Sequence, residues 1–144
     1  MRPAPLTRRD RGSVLMLMPA AVLIVLLLGA IAVDSAIVYL GQRQAYNVAF
    51  DAANDAAGAG FDAGIARESG EIVYSPDRVE AIAAEAVAAS SISDLRLVST
   101  SIDGDEVAVT VEIDIDHLFV QAFGRDANEP IRMTARVGGQ TQGP

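Results

Sequence analysis

The residues with the clearest potential for chemistry lie beside the single histidine of the chain. Asp114, Asp116 and His117 bring two carboxylates and an imidazole into four consecutive positions, and such groups can bind a divalent cation or exchange protons. In an extended strand, however, both aspartates face one side and His117 faces the other. A zinc site would also lack its second histidine. This pattern favours an ordinary solvated strand end, and we predict no metal site.

A second acidic group, Asp103, Asp105 and Glu106, could hold calcium weakly at a hairpin tip, but it lacks the ligand spacing of an EF-hand. The absence of cysteine excludes disulfides, thiolate nucleophiles and cysteine-ligated zinc. No glycine-rich phosphate loop follows a predicted strand, and no serine lies in a nucleophile elbow. We therefore expect a protein that is not an enzyme, with no catalytic residue, no cofactor and no small-molecule substrate.

Charge is distributed unevenly along the chain. The formal net charge is -8, yet four arginines lie within the first eleven residues, whereas seven arginines face seventeen carboxylates from Gly41 onward. Binding to nucleic acid requires a basic surface that the acidic part lacks. The sequence therefore excludes DNA and RNA as expected partners.

The first element that the sequence predicts is an uncharged apolar run near the N-terminus. The run starts at Val14 and ends at Val33, and twenty helical residues cover about 30 Å, the hydrocarbon thickness of a bilayer. Pro19 and Gly29 lie inside it, as is common in membrane helices. We predict a transmembrane helix and expect the lipid bilayer as a partner.

Arginines before the run and Asp34 directly after it predict a cytoplasmic N-terminus and an extracytoplasmic C-terminal domain. The alternative is a cleaved secretory signal, since Ala30-Ile31-Ala32 resembles a cleavage site. The run is longer than the 7 to 15 residues usual for such a signal, and apolar residues continue past the cut. An exported soluble protein would begin at Val33.

Small residues recur at helical spacing beyond the span and predict a helical stalk. We call the set the alanine seam, which consists of Val38, Ala45, Ala49, Ala52, Ala56, Ala59 and Ala63. Small side chains allow a second helix or a sheet to approach closely. Two alternatives stay open, in which the seam packs against other subunits or against the C-terminal domain of its own chain.

The C-terminal part predicts a small head with one amphipathic helix and three strands. Ser75 followed by Pro76 is typical of a helix start, and Val79, Ile82, Ala83, Ala86 and Val87 then share one face as far as about Ser90. Strands are predicted over residues 94–102, 106–115 and 131–137, with Asp103-Gly104 as the tight turn. Arg132 and Arg136 are expected to lie beside Glu112 and Asp114.

Several segments, in this order, resemble the Tad-type pilus proteins of the TadE/TadG-like group, particularly actinobacterial forms. They are residues 9–13 (RDRGS), 32–34 (AVD), 40–44 (LGQRQ), 47–59 (NVAFDAANDAAGA) and 117–124 (HLFVQAFG). Family members typically carry an Asn-Ala-Ala-Asp-Ala-Ala-like repeat at residues 47–59, where this chain has Val48 and Phe50 instead. The resemblance covers nearly the whole chain in outline.

The resemblance implies a pilin-like component of a Flp-type pilus or a related secretion system, with a protruding N-terminal helix. Pilin precursors are usually cut by a prepilin peptidase after a glycine, which corresponds here to Gly12 and would release Ser13. Processed pilins generally carry glutamate at the fifth position after the cut, where this chain has Leu17. That departure favours a membrane-anchored accessory subunit that contacts other subunits of the apparatus through its N-terminal helix.

Together these patterns predict an α+β chain in which a long pilin-like membrane-spanning helix precedes a small head with an antiparallel sheet. The expected segments are a cytoplasmic leader (1–12), a transmembrane helix (13–34), an alanine-rich stalk (35–66), an extracytoplasmic head (67–137) and a flexible tail (138–144). The expected location is the cell membrane, with a single pass.

Overall fold

One helix of 51 residues runs through both the apolar span and the head. The structure, a computed structural model, describes residues 9–119 and 130–138, with side chains from residue 17 onward. Its elements are α1 (Arg9–Ala59), α2 (Ala63–Ser69), α3 (Pro76–Ala88), β1 (Leu95–Asp103), β2 (Glu106–Ile113) and β3 (Ile131–Gly138). The predicted α+β class is confirmed, with a long apolar helix and a three-stranded antiparallel sheet among the described residues. The leader before residue 9, residues 120–124 and the tail after Gly138 fall outside that range.

The first part of α1 has the length and composition of a membrane-spanning helix. Its mean hydropathy reaches 2.7, and nearly all of the apolar stretch lies outside the protein interior. Pro19 lies within the helix, which continues past it. A run of large apolar side chains that the protein itself leaves uncovered is typical of a helix that crosses a bilayer. The predicted single apolar helix of membrane-spanning length is therefore confirmed.

The helical stalk ends earlier than the sequence predicts. α1 stops at Ala59, and a short second helix, which was not predicted, occupies residues 63–69. Gly60 is buried where the chain turns, and a Cβ at this position would lie only 2.6 Å from Cγ2 of Val79. Asp62 then starts α2 by accepting a hydrogen bond from the backbone N–H of Gly64 at 2.8 Å. A glycine and a capping aspartate thus break the predicted stalk into two helices.

The head sheet has β2 at its centre, paired antiparallel with β1 and β3. The predicted alternation of β2 is confirmed, since Val107, Val109, Val111 and Ile113 are all buried. The predicted turn is one residue out of place, because Asp103 pairs with Glu106 and the two turn residues are Gly104 and Asp105. Gly104 has a φ of +61°, so the only glycine in this segment occupies the position that requires a left-handed backbone.

The amphipathic helix α3 also forms as predicted. It begins at Pro76, directly after Ser75, and buries Val79, Ala83 and Val87. The Ser75 side chain makes no capping hydrogen bond within the described structure, and the helix ends at Ala88 rather than near Ser90. Its position is therefore set by proline and by the apolar face rather than by a serine cap.

The alanine seam packs inside its own head. Ala45, Ala49, Ala52 and Ala56 are fully buried, and α1 contacts α3, β2 and β3. Ala59 is exposed, and Val38 and Ala63 are half-buried. Of the two alternatives open from the sequence, the structure therefore shows intramolecular packing for the four central alanines, which no other subunit can reach in this conformation.

We expect Ala49→Leu to destabilise the head by about 1–3 kcal/mol, because a larger side chain must displace close-packed neighbours. The matched control is Ala59→Leu, at an exposed position on the same helix, which should change stability by less than about 0.5 kcal/mol. Hydrogen exchange of the β2 amides in the full chain, solubilised in detergent, measures both. Equal effects of the two substitutions would contradict the packing described.

Candidate functional site

A cleft of about 680 Å³ lies where the apolar span meets the head. One wall is the side of α1 that spans the junction, and the other is the turn that follows β2. Its lining residues are Leu27, Ala30, Ile31, Asp34, Ser35, Val38, Tyr39, Gln42, His117 and Phe119. The apolar members come mainly from the span, and the polar members gather at the level where the span ends.

Asp34 joins the two walls of this cleft. Its carboxylate Oδ1 accepts a hydrogen bond from the backbone N–H of Leu118 at 3.0 Å. The backbone N–H of Phe119 donates to Oδ1 and Oδ2, both at 3.2 Å. Asp34 is only 5% exposed, and a buried carboxylate requires such donors because its desolvation is otherwise costly. The residue that closes the apolar run therefore anchors a turn 84 and 85 residues later in the chain.

Other polar groups of the cleft do not form a catalytic arrangement within the described structure. The Ser35 hydroxyl donates to the backbone carbonyl of Ile31 at 2.8 Å, one helical turn before it. His117 is half-buried, and its Nδ1 atom has no hydrogen-bond partner among the described residues. Nucleophilic chemistry would require the imidazole to activate the hydroxyl, whereas this hydroxyl is held by its own helix.

The turn also carries two exposed apolar side chains, one of which lines the cleft. Leu118 is 67% exposed and Phe119 is 41% exposed. The Phe119 side chain lines the cleft together with Leu27 and Ile31, which belong to the apolar span. An apolar surface of the head is thus placed directly beside the apolar surface of the span.

Close contact between α1 and the end of β2 determines how near this turn lies to the helix. A Cβ on Gly41 would lie 2.5 Å from Cδ1 of Ile115, so the missing side chain lets Ile115 pack onto the helix axis. Ile115 is itself buried, although β2 ends two residues earlier. Gly41 belongs to one of the segments that carry the family resemblance, and the structure gives it a packing reason.

Of the acidic residues that suggested metal chemistry, Asp114 forms an ion pair with an arginine on the neighbouring strand. Nη1 of Arg96 lies 2.9 Å from the Asp114 carboxylate, and Arg96 also pairs with Glu112. Nε of Arg132 reaches Glu112 at 2.5 Å. No group of three metal-ligating side chains occurs within the described residues. The predicted pairing of Arg132 with Glu112 is confirmed. The predicted position of Arg136 beside these carboxylates is wrong, since Arg136 lies opposite Ala108.

Glu112 is the most enclosed of these groups, at 4% exposure, because the two arginines cover it from both neighbouring strands. Hydrogen bonds from Arg132 and Arg96 hold the pKa of Glu112 below its ordinary value, against the opposing effect of desolvation. The outer face of the sheet therefore carries a row of alternating charges across three strands, whose function is structural.

The hairpin tip that was weighed as a weak calcium site lies near a buried phenol. Burial and, to a smaller extent, the negative charge of Asp105 raise the pKa of Tyr74. Tyr74 is part of the head core and contributes its backbone to a bridge with Phe61. A raised phenol pKa keeps this group neutral in the interior, which is consistent with a packing role for the residue.

The remaining predicted positions all lie in α1. The span residues Val14, Pro19, Gly29 and Val33 belong to this single helix. Gly12 and Ser13, the possible processing site, are helical in their backbone. A Cβ on Gly29 would meet no described atom within 4 Å, so no contact within the described part of the chain requires glycine there.

Comparison with protein-family models, with curated proteins and with solved structures finds no match for this chain. Function must therefore be inferred from the cleft, the span and the surface of α1, together with the resemblance noted in the sequence.

Replacing Asp34 with alanine should release the turn, because the backbone N–H groups of Leu118 and Phe119 lose their acceptor. We expect faster hydrogen exchange at these two amides and unchanged exchange in β2. Asp34→Asn keeps one carbonyl oxygen and should have a smaller effect. Unaltered exchange at both amides in Asp34→Ala would contradict the role assigned to this carboxylate.

The row of charges formed by Arg96, Glu112 and Arg132 predicts that the stability of the head depends on pH in the acid range. Because folding lowers the pKa of Glu112, its stabilising effect is complete above its ordinary value of 4.5 and is lost as the pH falls through the lower folded value. Glu112→Gln should therefore flatten the decline in the denaturation midpoint below that pH. Glu68→Gln, at an exposed position, serves as control, and the same decline in both variants would contradict this role for Glu112.

Proposed function

We propose that this protein is a non-catalytic, membrane-anchored component of a Tad/Flp-type pilus or a related secretion apparatus. It acts as a minor pilin-like or accessory subunit by packing its N-terminal helix against other subunits. The ordered resemblance to TadE/TadG-like proteins supports this proposal, as does an apolar helix of membrane-spanning length in front of a small head. The distribution of charge around the span supports a cytoplasmic N-terminus and an extracytoplasmic head.

The observation that carries the proposal is the outward surface of α1 above the span. Tyr39, Tyr46 and Phe50 are all exposed there, Tyr39 to 64%. Their spacings of seven and four residues place them along one side of the helix. We call these three residues the outer aromatic stripe. A stripe of large apolar side chains that continues from a membrane helix is suited to contact with a neighbouring helix.

This stripe also changes which residues would make the contact. The sequence pointed to the alanine seam, but its central residues are enclosed by the head of their own chain. Each residue of an α-helix is rotated by about 100° from the one before it, which places the stripe roughly 100° around α1 from the buried alanines of the seam. The stripe therefore lies on a different side of the helix. Packing between subunits therefore uses the aromatic stripe while the seam maintains the fold.

A second candidate function is a membrane-tethered or exported binding module with no connection to a pilus. The cleft favours it, since an apolar concave site with a few polar groups at its rim is the usual form of a ligand site. Cleavage after Ala32, as an exported form requires, would remove Leu27, Ala30 and Ile31 from the cleft wall. The tethered form is thus the stronger version of this alternative.

Photocrosslinking in cells tests the proposal. A benzoylphenylalanine residue in place of Tyr46 should form an adduct with another pilus or secretion subunit, identified by mass spectrometry. The same residue in place of Ser101, which is exposed on the outer face of the sheet, should form much less of that adduct. A membrane-inserted protein that forms no adduct at position 46, or equal adducts at both positions, would contradict packing through the stripe.

A further inference from the structure

The turn that contains Leu118 and Phe119 lies at the level where the apolar span ends. Asp34 marks that end, and it holds both backbone N–H groups of the turn. Phe119 extends from there into a cleft whose wall includes Leu27, seven residues before Asp34. At 1.5 Å per residue this part of α1 lies about 10 Å deeper along the helix axis.

We propose that residues 117–119 form a membrane-seating turn, in which Leu118 and Phe119 enter the lipid leaflet on the head's side of the bilayer. The partner is the acyl and interfacial region of the lipid itself. The proposal requires α1 to span the membrane, but it does not depend on the pilus assignment. It adds a second membrane contact to that of the apolar helix.

Continuity with the span identifies lipid as the occupant of this surface. Ile31 and Leu27 face the same cleft as Phe119, and they belong to the segment that must lie in hydrocarbon if the helix crosses a bilayer. A side chain that lines the same cleft shares their surroundings. Tyr39, exposed just beyond Asp34, has the position and the amphipathic character of residues in the aromatic belt at a membrane surface.

Hydrogen bonding gives a second, independent argument. Backbone N–H groups close to the hydrocarbon region find little water and need an acceptor from the protein. The carboxylate of Asp34 supplies one for the N–H groups of both Leu118 and Phe119. The acidic charge of the chain beyond residue 41 opposes attraction to anionic lipid, so the contact is apolar and neutral lipid is sufficient for it.

Single-cysteine labelling can measure the depth of the turn, because the natural chain contains no cysteine. The full chain, as Leu118→Cys, is labelled with bimane and placed in phosphatidylcholine nanodiscs that carry a doxyl group near the top of the acyl chain. The control is Val98→Cys, an exposed apolar position at the bulge of β1, which is 41% exposed against 67% for Leu118. We expect quenching by doxyl lipid to be at least about two-fold stronger at position 118, as contact with the acyl region requires.

Two further measurements keep the result interpretable. Unchanged hydrogen exchange of the β2 amides shows that each labelled head is folded, and adding Asp34→Ala to Leu118→Cys should reduce the quenching. Equal quenching at positions 118 and 98 would overturn the proposal. A second outcome would also overturn it, namely a label at position 118 that is shielded from aqueous iodide but is not quenched by doxyl lipid. If that label becomes accessible to iodide in nanodiscs that hold a single chain, a second copy of the chain is the partner.

Discussion

The whole structure depends on how closely α1 approaches the head. Fully buried alanines on one side of this helix meet the fully buried valines of β2 and the apolar face of α3, and only small side chains allow a helix and a sheet to come so near. The same helix begins in the apolar span. The fold of the head and the apolar span are therefore one problem, because the helix of membrane-spanning length is also the centre of the core.

Several consequences follow because the apolar span and the head share one helix. The head is packed alongside the upper half of α1 instead of standing at its tip, so one side of the helix is covered and another stays available. Gly41 permits Ile115 to lie against the helix, which brings the turn after β2 down to Asp34. Small residues, a glycine and a carboxylate thus arrange the junction of span and head. Tyr39 lines the cleft at this junction, whereas Tyr46 and Phe50 are exposed further along α1.

Local patterns were sufficient to predict most of the elements. The apolar run, the Ser75-Pro76 start and the strict alternation of β2 each depend on neighbours in sequence. The turn at Gly104 was misplaced by one residue because Asp-Gly is compatible with two registers, and only the pairing of Asp103 with Glu106 decides between them. The early end of α1 depends on Gly60 and Val79, which meet only in the folded chain.

The candidate site was largely hidden from sequence reasoning for the same reason. Asp34 looked like the polar end of a span, and nothing local indicated that it accepts hydrogen bonds from residues more than eighty positions away. The alanine seam showed that something packs closely against α1 but did not specify what. His117 was read as part of an acidic strand end, whereas it lines the cleft beside the span. Pairings over long sequence distances leave no periodic signal.

The central claim is that a single unbroken helix serves both the bilayer and the head. Double electron–electron resonance between spin labels at Ile24→Cys and Asn54→Cys, in the full chain reconstituted in nanodiscs, tests it directly. Both positions are exposed and belong to α1. A continuous helix predicts one narrow distance distribution near 45 Å, from about 1.5 Å per residue over thirty residues. A broad distribution, or a mean well below that distance, would show a hinge between span and head and contradict the claim.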